Sequence, residues 1–184
     1  MKKLIFPLIA VGSLALVQTS FAALEDFTVS LDGLQDGGGA RQGSGSGTLT
    51  LDTVANTITF NNILWSGLSA DSTASHIHGP AAPGVSTGVL YPLNPTYTTV
   101  GSGIRSGTIS GTLTLANLSP GGNPYSIASQ ITDLENGLWY INVHSTVFGG
   151  GEIRGQILPV PEPSTLALLG LGIGAAMWRM RQRR

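Results

Sequence analysis

The 184-residue sequence has no cysteine, only three histidines and only nine lysines and arginines, and each scarcity removes a class of function. Without cysteine there is no disulfide, so an exported domain of this length has to be held by its core alone. Six of the nine basic residues sit at the two ends (Lys2, Lys3, Arg179, Arg181, Arg183, Arg184), leaving Arg41, Arg105 and Arg154 against nine acids between residues 23 and 160. That stretch carries a net charge of −6, whereas the whole chain is at −1. Sequence-independent nucleic-acid binding needs clustered cations, so nucleic acid is excluded as a partner, while cation binding is permitted. The glycine-rich stretch DGGGARQGSGSG, residues 36–47, lacks the lysine and following helix of a phosphate-binding loop, and its aspartates lack calcium-loop spacing. It reads as a flexible loop. No nucleophile, base and acid stand together as a hydrolytic constellation.

What is present starts at the ends. Lys2 and Lys3 precede an apolar run from Leu4 to Val17, and small residues follow at Ser20 and Ala22. This is the layout of a secretory signal peptide, residues 1–22, which implies the Sec export machinery and signal peptidase as partners. The apolar run is shorter than the roughly 18 residues that usually span a bilayer. Residues 160–184 carry a Pro-Glu-Pro triplet (Pro161, Glu162, Pro163), an apolar stretch from Leu166 to Trp178, and a cluster of arginines. Cations directly after an apolar segment hold it with its tail on the cytoplasmic side, so transient membrane insertion through this helix is expected.

Between the ends, residues 23–159, short alternating runs broken by Gly, Asn, Asp and Pro predict half-buried antiparallel strands. Phe27, Val29 and Leu31 alternate, as do Leu49 and Leu51, then Ile58 and Phe60, with a hairpin around residues 52–56. Further strands are expected near residues 63–68, 74–78, 88–93, 107–115, 138–144 and 152–158. Ile127, Ile131 and Leu134 at i, i+4, i+7, with Gly137 placed as a stop, predict one short helix. The expected fold is a single all-β antiparallel sandwich or barrel with that helix over one end. GTLTL occurs twice, at residues 47–51 and 111–115; alternating Thr and Leu is also the commonest way to write a strand, and that reading is preferred to internal duplication.

Strand parity locates the histidines. His76 and His78 share one face of their run with Ile77 on the other; Tyr140, Asn142 and His144 oppose Trp139, Ile141 and Val143; Glu152, Arg154 and Gln156 oppose Ile153 and Ile157. All three histidines therefore fall on the polar side of their strands. Three readings stand: solvated histidines, a hydrogen-bonded polar cluster with Glu152 and Arg154, or a metal site. In the last, His76, His78 and His144 offer three nitrogens to Zn or Cu, with Glu152, Arg154, Asn142 and Tyr140 around them.

Two resemblances rest on these residues. The segment from Pro161, Glu162 and Pro163 through Ser164 and Thr165 to the arginines resembles the PEP-CTERM sorting signal of exopolysaccharide-producing Gram-negative bacteria. It implies exosortase as a partner, an inner-membrane intermediate, and transfer to the cell surface or extracellular matrix. The motifs GLSADSTASHIHGPAAPG (67–84), LENGLWYINVHS (134–145) and GGGEIRGQI (149–157) resemble the CHRD domain of chordin and of many secreted bacterial proteins. That family implies an extracellular all-β domain, immunoglobulin-like or barrel-like. The His-x-His strand also invites comparison with copper-zinc superoxide dismutases, but three histidines are too few for a dismutase's ligands and the usual disulfide is impossible. The expected function is a non-enzymatic structural or binding module, with exopolysaccharide or another surface protein as partner. The alternative is a metal-dependent (Zn or Cu) redox or hydrolytic protein built on the three histidines.

Overall fold

The computed structural model describes residues 24–37, 39–161 and 179–182. The expected signal peptide, Glu162, Pro163 and the apolar stretch 166–178 lie outside them. Eight strands form: β1 (Leu24–Asp32), β2 (Ser44–Asp52), β3 (Thr57–Ser66), β4 (Ser72–His78), β5 (Val89–Pro92), β6 (Gly107–Thr114), β7 (Tyr140–Ser145) and β8 (Ile153–Pro159). They make one antiparallel sheet in the order β5-β4-β7-β8-β1-β2-β3-β6, curled into a half-barrel. Of the two all-β alternatives, the chain takes the curled single sheet.

Curling brings one face of every long strand onto a common core. Phe27, Val29 and Leu31 meet Leu49, Leu51, Ile58, Phe60, Ile63 and Trp65, and Trp139, Ile141 and Val143 from β7 close the cluster with Ile77, Ile153 and Ile157. Burying side chains of this size stabilises by about 1.5–3 kcal/mol each, before the entropy of ordering them is set against it. The hairpin between β2 and β3 turns where expected: Asp52 Oδ1 accepts from the Val54 and Ala55 amides, and Asn56 takes a positive φ of 55°. Both GTLTL copies flank β3, where Ile58 pairs with Leu51 on one side and Leu113 on the other. Their likeness follows from serving the same neighbour.

The stretch 36–47 corrects the reading as a flexible loop. Its last third, from Ser44, is strand, the beginning of β2. Glycine is required there for close approach: a Cβ on Gly45 would lie 2.6 Å from the Leu64 carbonyl oxygen, and one on Gly47 2.6 Å from Ile63 Cα, beside the bulge where the β2–β3 register shifts.

The helix α1 (Ile127–Glu135) forms where its period predicts it. Ser126 caps it by accepting the Ser129 amide at 3.2 Å, and the chain turns at Gly137 with φ 68°. Leu134 is buried in the core, and Gln130, fully buried, is satisfied by Tyr91, Ala116 and Tyr125. After β8 the Val160 amide bonds to Asp26, and Pro161 is exposed immediately beyond the domain.

Candidate functional site

The polar faces of β4, β7 and β8 lie side by side, and those of β7 and β8 are covered nearly as thoroughly as the core. In register, His78 stands opposite Tyr140, His76 opposite Asn142, and Asn142 opposite Arg154 on the next strand. Tyr140, Asn142 and Arg154 are 3% exposed or less, and His78 and His144 are 7% and 8% exposed; His76 alone among the histidines keeps an intermediate exposure. Parity thus placed the histidines away from the apolar core, but a roof of loops keeps them from water.

Three segments form that roof, and the polar face satisfies their backbones. Arg154 Nη2 donates to the Val85 carbonyl at 2.8 Å, Gln156 Nε2 donates to Ala81 at 2.9 Å and Gly137 at 2.7 Å, and the Tyr140 hydroxyl accepts the Thr87 amide at 3.2 Å. Asn142 Nδ2 donates to Gly150 at 3.3 Å. Gln35, in the third segment, accepts the Gln156 amide, and Arg41 Nε donates to Gly151 at 3.1 Å. Irregular backbone can be buried only when its carbonyls and amides find partners, and the polar residues of β7 and β8 supply them. Arg154 also lays its guanidinium 3.4 Å from the centre of the Tyr140 ring, while His78 stacks on the same ring, 4.8 Å between centroids and 3° from parallel. Since β7 runs between β4 and β8, imidazole and guanidinium reach that ring from its two neighbouring strands.

Within this layer the three imidazoles converge. His76 Nδ1 lies 3.0 Å from His144 Nε2, and one nitrogen from each of the three rings falls within 4.8 Å of the others. The outward nitrogens are taken: His78 Nδ1 is 2.9 Å from the Thr87 carbonyl and His144 Nδ1 is 3.0 Å from the Gly149 carbonyl. A carbonyl only accepts, so both rings carry their proton on Nδ1 and turn the Nε2 lone pair inward. His78 Nε2 is buried there without a partner, a situation that costs about 1–3 kcal/mol when nothing fills it. Burial, reinforced by His144 and His78, pulls the His76 pKa down to about 4. Burial also lowers that of His78, against the opposing pull of its bond to Thr87. Both imidazoles are neutral near pH 7.

Glu152 does not join this cluster. Although it flanks β8, its Oε1 accepts the Ser69 amide at 2.6 Å and the Gln42 amide at 3.3 Å, holding the start of β2 to the segment before β4. Burial pushes its carboxyl up, but the Ser145 and Ser69 hydroxyls beside it and the two amides more than offset this and hold it below the ordinary range. The acid that does reach the imidazole side is Asp36, from the segment read as a flexible loop. Burial raises its pKa, against the attraction of Arg41, Arg154 and His144. Its carboxylate lies against Asn142 over Gly151, a position where φ is 134° and any Cβ would collide with both side chains. The Thr87 and Gly149 carbonyls were also missed, since a backbone acceptor leaves no side-chain signature. Their only trace in the sequence is that both histidine strands run into Gly-rich loops.

Residues 27–157 match the CHRD domain family. The chain belongs to that family. The three histidines, the roof of loops and the Arg154–Tyr140–His78 stack all fall inside the CHRD domain, as do the HIHGPA, YINVH and GEIRGQI motifs. Residues 159–184 match the PEP-CTERM protein-sorting motif, so this CHRD protein is an exported one handled by exosortase. Comparisons with curated proteins and with solved structures gave no match.

Proposed function

We propose that the protein is a non-enzymatic binding module of the cell surface or exopolysaccharide matrix. In this reading, residues 1–22 are removed on export, residues 23–159 form the working domain, and residues 160–184 hold an inner-membrane intermediate until exosortase acts near Pro161, Glu162 and Pro163. The observation that carries it is the tiling of the two matches, which end and begin within two residues of each other, at 157 and 159. The domain thus runs into its sorting signal with no linker.

A second observation favours a polymer as partner. Across β1, β2, β3 and β6, on the half of the sheet remote from the histidines in strand order, lies an open groove of about 800 Å³. Its lining includes Ser30, Asp32, Ser44, Ser46, Ser66 and Ser106. An open trough of small hydroxyls and glycine backbone, with Leu31, Leu64 and Trp65 among them, suits a hydroxyl-rich chain with apolar ring faces laid along it better than a small molecule, which needs enclosure.

In a host lacking exosortase the chain should accumulate unprocessed in the membrane fraction. Normal processing and release in that strain, read by immunoblot of membrane and medium, would contradict the sorting step.

A further inference from the structure

A hydrogen-bonded lock accounts for only part of the histidine cluster. One proton shared between His76 Nδ1 and His144 Nε2 satisfies that pair, yet the buried His78 Nε2 still has no donor. The His144 Nδ1 proton is committed outward to the Gly149 carbonyl, and the proton of His78 itself sits on Nδ1, toward the Thr87 carbonyl. This is the arrangement that orients imidazoles as metal ligands: the distal N–H is anchored on a backbone carbonyl, which sets the tautomer and makes the facing nitrogen a better donor.

We propose that His76, His78 and His144 form a binding site for one late first-row transition-metal ion, zinc(II) or copper, whose fourth position opens past the partly exposed His76. The donor set selects the class. Three imidazoles without a bonded carboxylate suit Zn and Cu, whereas Mg and Ca require oxygen ligands. The spacing is within reach. Ligand nitrogens about 2.0–2.1 Å from a tetrahedral ion stand roughly 3.3 Å apart, and His76 and His144 already sit at 3.0 Å. Starting from the 4.8 Å limit, the third nitrogen has to close by at most about 1.5 Å, which rotation about the soft imidazole χ2 torsion can provide. Arg154 opposes a cation here, but its charge is drawn onto the Tyr140 ring and the Val85 carbonyl, and Asp36 lies on the His144 side.

The site depends on the domain's geometry and not on sorting, so the two readings fail separately. The full chain, purified in detergent and stripped with chelator, is titrated in parallel with zinc sulfate and copper sulfate, and retained metal is counted after desalting. One equivalent of either ion per chain is expected, and whichever is held more tightly against a common chelator identifies the metal. His78→Ala and His144→Ala should each weaken binding about a hundredfold or more, at or beyond the upper end of what disturbing an outer partner costs. Because either variant could misfold, the wild-type chain is also loaded with Co(II) and its visible spectrum recorded. Intense d–d bands of a four-coordinate, nitrogen-rich site are expected. A folded wild-type chain that retains less than a tenth of an equivalent overturns the proposal, as does a six-coordinate oxygen-type spectrum or undiminished binding in the folded variants.

Discussion

The two faces of β7 are both buried and are held by different physics. Trp139, just before the strand, and Ile141 and Val143 within it have no exposed surface and pack in the apolar core, with one polar contact, the Trp139 indole N–H donating to the Tyr125 hydroxyl at 3.0 Å. Tyr140, Asn142 and His144, one residue out of phase, are almost as hidden, yet the Tyr140 hydroxyl, Asn142 Nδ2 and His144 Nδ1 each meet a named backbone group, His144 Nε2 meets His76, and Asn142 Oδ1 is left without a partner. On the first face stability scales with area and tolerates approximate shapes; on the second it depends on each bond being made, because an unpaired buried dipole is costly. The apolar face therefore builds the domain, and the polar face organises loops around a small set of inward lone pairs.

The comparison is broken most severely from the apolar side. Trp139→Ala should lower the unfolding free energy by about 3–5 kcal/mol, through lost transfer energy and the cavity left behind, measured by urea denaturation. On the polar side Arg154→Ala should cost less, about 2 kcal/mol, by leaving the Val85 carbonyl without its charged donor and the Tyr140 ring without its cation. Its particular signature is earlier proteolytic cleavage in the 81–88 loop at a denaturant concentration where the core is intact. A loss as large as that of Trp139→Ala would show that the two faces are not separable.

Glu152→Gln should have the smallest effect, and it isolates the electrostatic part. Because the carboxyl is held below its ordinary value of 4.5 in the folded chain, it contributes stability that is present above about pH 4.5 and is lost as the pH falls through the lower folded value. The wild type should thus lose more stability than the variant between pH 6 and pH 3, and the two unfolding midpoints should converge at the acid end. Parallel pH curves would remove Glu152 as the charge that ties residues 42 and 69 together.

The histidines show where reading the sequence stopped. Alternation in LWYINVHS and GEIRGQIL was enough to divide each strand into an apolar and a polar side, and every residue assigned to the apolar side is in the core. The same alternation says nothing about what lies above the polar side. Glu152 continues the polar parity but lies just before β8, where the chain turns from Gly151, so its carboxylate answers to the amides that neighbouring segments bring there, those of Gln42 and Ser69. Asp36 carried no signal at all, since an aspartate followed by glycines is the ordinary composition of a loop.

By itself the sequence determined most of the strands (the separate runs at 58–60 and 63–68 are one strand, Thr57–Ser66, continuous through a bulge), the helix, the composition of the core, the family and the sorting signal. Each of these is written in local period or contiguous motif, and side-chain direction in a strand is fixed by a two-residue repeat that does not depend on partners. Only the tertiary structure decided that one sheet curls rather than two stacking, that β4 and β7 are neighbours, and that three loops close over their polar face. Those features depend on contacts between residues far apart in the chain, such as His76 with His144 and Arg154 with Val85. The tautomers of His78 and His144 belong to the same category, because a backbone carbonyl that arrives from a distant loop sets where each proton resides.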